Sequence, residues 1–114
     1  MTREEAISLL RRYRRDVYRY NEDHVLFPKR NAYFRTCVYG RFLVDELIRK
    51  ISETDGDPIR MVGRIYSELD YILGDSDDDH FETHRFAALM EYECGNVLRY
   101  LRTIERTENE DAKN

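Results

Sequence analysis

The stretch Thr54-Asp55-Gly56-Asp57-Pro58 is the sharpest break in the chain. Gly56 suits the end of one helix. Asp57 suits the cap of the next, and Pro58 the first helical position, where a missing N–H costs nothing. Before the break, Phe34, Cys37, Val38, Phe42, Val44, Leu47, Ile48 and Ile51 recur at the spacing of one broad helical face. After it, Ile59, Val62, Ile65, Tyr66, Leu69, Ile72 and Leu73 do the same. The spacing predicts helices over 32–53 and 58–73. A link this short predicts that they form an antiparallel hairpin, the neighbour relation the sequence supports best.

Working outward, Thr2 and Glu5 stand at capping-box spacing. Ala6, Leu9, Leu10, Tyr13, Val17 and Tyr20 then form a stripe, which predicts a helix over 2–22. A loop follows to Asn31, with Pro28 breaking the helix and Val25, Leu26 and Phe27 pinning the loop to the core. Gly74 ends the third helix, and Asp75-Ser76-Asp77-Asp78-Asp79 leads into a fourth over 79–106. Its stripe is Ala87, Met90, Cys94, Val97, Leu98, Leu101 and Ile104, and Arg99, Arg102 and Arg106 complement its C-terminal dipole. No alternating β-branched run argues for a sheet. The expected fold is therefore all-α, a compact bundle of about four helices. At 114 residues it is expected to be a single domain over 1–106, with 107–114 a polar, disordered tail. Gly40 and Gly95 are expected to mark close helix crossings near Cys37 and Cys94.

Charge divides the chain. Residues 1–51 hold 12 basic and 7 acidic side chains, whereas 52–114 hold 7 and 16, so a modest overall −4 conceals two opposed halves. The expected consequence is pairing of the first helix with the acidic half, within one molecule or between two copies. The other use of a basic helix is nucleic-acid binding. Arg11, Arg12, Arg14, Arg15 and Arg19, followed by Lys29, Arg30 and Arg35, are the cations that could meet phosphates. The acidic half could instead imitate phosphates or dock on a basic protein.

Candidate chemistry is sparse. His80, His84 and Glu91 fall near one line of the fourth helix and could chelate a divalent metal. Phe81 stands where an HExxH motif needs glutamate. Asp75, Asp77 and Asp79 begin a calcium-loop pattern that His80 and Phe86 break at its glycine and glutamate positions. Arg19-Tyr20-Asn21-Glu22-Asp23-His24 resembles the Arg-x4-His spacing of HEPN ribonucleases, which are also helical bundles. That resemblance covers six residues and closes the first helix, whereas the family carries its motif on a later one. It implies RNA cleavage with His24 as base and Arg19 stabilising charge. Cys37 and Cys94 form no CxxC pair and are expected to be buried free thiols.

The charged Met1–Glu5 start, with no long apolar run behind it, predicts no signal peptide and no membrane span, hence a cytoplasmic protein. With no site chemistry converging, the expected function is a non-enzymatic, protein-binding helical module without a cofactor. It is expected to self-associate as a dimer, with Tyr18, Tyr33 and Tyr39 at the interface. The alternative is a nucleic-acid-associated regulator using the first helix. A metal-dependent or HEPN-like ribonuclease is the third reading.

Overall fold

Thr2 begins the first helix as its spacing predicts. Its Oγ1 accepts the Glu5 N–H at 3.1 Å, and its carbonyl accepts the Ala6 N–H at 3.0 Å. The computed structural model describes residues 1–23, 32–74 and 81–113, and side chains over 1–18, 38–73 and 87–112. Among these residues all regular structure is helical: α1 (Arg3–Asp23), α2 (Ala32–Glu53), α3 (Pro58–Gly74) and α4 (Phe81–Lys113). The break between α2 and α3 is built as expected. Gly56 takes a φ of +145°, which a side chain would resist, and Asp57 Oδ1 caps α3 by accepting the Ile59 N–H at 3.1 Å.

α4 differs from expectation at its far end. It runs through 107–113, the segment expected to be a disordered tail. Nothing in Thr107-Glu108-Asn109-Glu110-Asp111-Ala112-Lys113 breaks a helix, since neither Gly nor Pro occurs there. Thr107 Oγ1 donates back to the Thr103 carbonyl at 3.0 Å. Arg99, Arg102 and Arg106 therefore lie well inside the helix, and the C-terminal dipole does not explain them.

Packing assigns α4 the central place. α3 packs chiefly against α4, α1 against α2, and α2 against α4. α2 and α3 follow one another through a tight link yet touch only sparingly, so they are not each other's main neighbours. The link joins their ends, while the apolar face of α3 turns to α4. Leu10, Val44, Leu47, Ile51, Val62, Val97 and Leu101 are fully buried, so every helix contributes to one core.

The tightest crossing brings α1, α2 and α4 together at Gly40. A methyl there would lie 3.1 Å from Tyr18 Cζ, 3.2 Å from Glu93 Cγ and closer still to Tyr18 Oη. Glu93 is only 4% exposed, and its Oε1 accepts a hydrogen bond from Tyr13 Oη. The Tyr13 ring meets Tyr18 edge-on at 6.4 Å and tilts against Tyr100 at 5.1 Å. Burial, and then the bond to Glu93, raise the Tyr13 phenol above its ordinary range and keep it a donor. Tyr18, expected at an interface, is instead 2% exposed, because its ring occupies the room that Gly40 leaves. Gly95 plays a similar part between α4 and α3, where an added Cβ would lie 3.1 Å from Tyr66 Cε2.

Gly40→Ala should therefore lower unfolding stability by about 1–3 kcal/mol through overpacking. Gly63→Ala, whose new methyl meets nothing nearer than Arg102 Nη2 at 3.9 Å, should raise it by up to about 1 kcal/mol. Urea unfolding of the two variants checks this. Equal effects at both positions would contradict the close crossing.

Candidate functional site

The α1 arginines are partly neutralised at home. Arg14 Nε pairs with Asp45 Oδ1 at 2.7 Å, and Arg15 Nε with Asp16 Oδ1 at 3.0 Å. Arg11 and Arg12 have no ion-pair partner among the described residues, and with Arg15 they line a shallow depression on α1. The side chains of Arg19 and Arg35 lie outside the described residues, as do Lys29 and Arg30 altogether. The expected pairing of α1 with the acidic half occurs at the helix ends. Arg3 meets Asp55 at 3.2 Å, and the Met1 amino group meets Glu105 at 3.1 Å.

A second group of cations was read from the sequence only in part, as three α4 arginines near a helix end. Arg60 and Arg64 of α3, with Arg99, Arg102 and Arg106 of α4, are exposed along the α3–α4 seam. None of the five has a carboxylate partner among the described residues. The signal was present as i, i+4 spacing in one helix and i, i+3, i+7 in the other. The net charge of the second half hid it.

An apolar surface lies on the other helix pair. The Arg14–Asp45 ion pair and the Tyr18–Gly40 contact run in opposite chain directions, so α1 and α2 are antiparallel. That register sets Val17 across from Phe42, with Val38 one turn away on α2. Val17 is 44%, Val38 40% and Phe42 55% exposed, although all three were expected in core stripes. The reason is a small rotation of each helix: Tyr18 rather than Val17 turns inward, and Leu43 and Val44 rather than Phe42. Tyr39 is half-buried, and the Tyr33 side chain lies outside the described residues.

Most of the remaining candidates lie outside the described side chains. His24 and His80 fall outside the described residues, as does the side chain of His84. Among the described residues no three His, Cys, Asp or Glu side chains converge as a metal site requires. Cys94 is a buried free thiol whose Sγ reaches the Val62 carbonyl at 3.7 Å, and burial pushes it up to about 12. A thiol so protonated is a poor nucleophile. The Cys37 side chain lies outside the described residues. Glu91, the one candidate metal ligand with a described side chain, faces Asp70 across α3 and α4. Partial burial, then the charge of Asp70 and a hydrogen bond with it, raise the Glu91 carboxyl above its ordinary value.

A carboxyl with a raised folded-state pKa stabilises the fold below its unfolded pKa, and that contribution is lost as pH rises through the folded value. Asp70→Asn should therefore raise the melting temperature near neutral pH. The gain should shrink as the pH falls from neutral into the acidic range and the Glu91 carboxyl takes up its proton. A thermal-unfolding series across that range checks the sign, and a gain that grew on acidification would refute the pair.

No helix among the described residues is long and apolar enough to cross a membrane. No known protein-family model, curated protein or solved structure matches the chain.

Proposed function

We propose that this chain is a non-enzymatic helical interaction module that self-associates through the α1–α2 face. The observation that carries the reading is the apolar surface of Val17, Val38 and Phe42, three large side chains left open around a fully packed core. Single exposed apolar residues are ordinary, but three that the antiparallel register aligns along one seam suit a contact surface. Its neighbours Arg14 and Asp45 are already paired with each other at 2.7 Å, and so form a satisfied polar rim around an apolar centre. A second copy offers the same surface, and a two-fold axis would set Phe42 against Phe42 or Val17. The neutral, buried Cys94 thiol is in keeping with a binding rather than a catalytic role.

Light scattering over a range of protein concentration and ionic strength tests the reading. The expected result is a dimer that persists as salt rises, because its contact is apolar, and that Phe42→Asp converts to a folded monomer. A monomer at every concentration would overturn it. So would a dimer that ignores Phe42→Asp and falls apart in salt.

A further inference from the structure

We propose that the α3–α4 seam is a binding site for single-stranded nucleic acid. The seam is one continuous trough in three stretches. Arg102 lines both the stretch beside Arg60 and Arg64 and the next one beside Arg106. Tyr66 and Arg99 carry that second stretch on into a third, lined by Tyr92. At 1.5 Å per residue, α4 carries the tract over about 20 Å between Tyr92 and Arg106.

Five guanidinium groups border this trough, and none meets a carboxylate among the described residues. Elsewhere Arg3 pairs with Asp55, Arg14 with Asp45, and Arg49 with both Glu46 and Glu53. Arg11 and Arg12 share the unpaired state among the described residues but have no exposed aromatic ring beside them in their depression. Two carboxylates also line the trough, Asp57 in the first stretch and Glu91 in the third, where Glu91 hydrogen-bonds Asp70, so the five cations outnumber them. Glu105 holds the Met1 amino group and Glu108 shares a hydrogen bond with Glu5, both toward α1. Glu105 and Glu108 thus turn away from the seam, and the stretch bordered by Arg99, Arg102 and Arg106 holds no carboxylate among its lining residues. Five like charges held together repel one another, and an external polyanion relieves that cost. Gly63 and Gly95 keep the floor low, and the hydroxyls of Ser67 and Thr103 add polar groups at its edge.

The aromatic residues select the kind of polyanion. Tyr92 is 66% exposed at the end of the arginine tract, and the Tyr66 ring lies against Gly95 within it. Arginines that track phosphates beside rings that stack on bases are the combination single strands require. A duplex keeps its base faces stacked away from such rings, and two helices packed side by side offer no projecting helix to enter a major groove. An acidic protein segment would satisfy the arginines but has no base to lay on Tyr92. The inference is independent of self-association, because it uses α3 and α4 rather than the α1–α2 face.

Fluorescence anisotropy with labelled oligo-dT and oligo-U of about 20 nucleotides, titrated with the full chain across a salt series, tests the proposal. The expected result is binding of at least one of the two that weakens steeply with salt. The pairwise variant Arg102→Ala/Arg106→Ala should weaken it at least 10-fold, and should lower the log–log salt slope by about 0.7 for each arginine removed. Tyr92→Ala should cost several-fold in affinity with the slope unchanged. Arg11→Ala/Arg12→Ala should have little effect. Comparing oligo-dT with oligo-U decides between DNA and RNA as the source of the strand. No binding of either at low salt would overturn the proposal. It would also be overturned by tighter binding of a duplex of equal length, by equal competition from polyglutamate, or by losses confined to the α1 variant. The wild-type salt slope and the duplex and polyglutamate comparisons need no variant, so the proposal stays testable even if a substitution impairs folding.

Discussion

The rest of the bundle depends on a carboxylate held inside it. Glu93 of α4 is buried where α1 and α2 also pass, and a buried polar group is costly unless it is hydrogen-bonded. Tyr13 supplies that bond from α1. Gly40 supplies the room from α2, since any side chain there would strike Tyr18 and Glu93 together. Three helices are thereby fixed at one point by a polar contact that works in a single register. The apolar residues above and below supply most of the stabilisation, but apolar contact alone tolerates sliding and rotation. A satisfied hydrogen bond in a low-dielectric interior does not.

That constraint sets the rotation of α4, and the rotation distributes the surface chemistry. Once Glu93 and Tyr100, seven residues apart, face Tyr13, the neighbouring Cys94 reaches the Val62 carbonyl of α3. Gly95 and Arg99, one turn apart, then fall on the α3 seam, with Arg102 and Arg106 continuing the row. Glu105 and Glu108 are carried round to the start of α1. On the opposite partner, fixing Tyr18 inward turns Val17 out, and the Gly40 crossing leaves Val38 and Phe42 beside it. The apolar face and the cationic trough are two consequences of one packing decision.

Much of this architecture was legible in the sequence. The Asp55-Gly56-Asp57-Pro58 break, the Thr2 cap and the helical stripes gave the four elements and nearly all their bounds, because caps and periodicity are local properties. Neighbour relations are not local. A short link suggested that α2 and α3 pack together, but it constrains only their ends. α3 found a larger apolar partner in α4. The end of α4 was misjudged because polarity was taken for disorder, although no residue there opposes a helix. The site was harder to read. Summing charge over each half emphasised the α1 arginines, and Arg99, Arg102 and Arg106 were read as dipole complements, so their grouping in space with Arg60 and Arg64 was not seen. Tyr18 and Val17 were exchanged because a stripe allows either at that turn, and the choice belongs to Gly40, more than twenty residues away.

The most direct test is a double-mutant cycle at the buried contact, with Tyr13→Phe, Glu93→Gln and the two combined, each unfolded in urea. If this bond fixes the helices around Gly40, the two substitutions should interact by about 1–3 kcal/mol, as contacting groups in one polar network do. Effects that simply add, within about 0.5 kcal/mol, would contradict the account and leave the rotation of α4 to apolar packing alone.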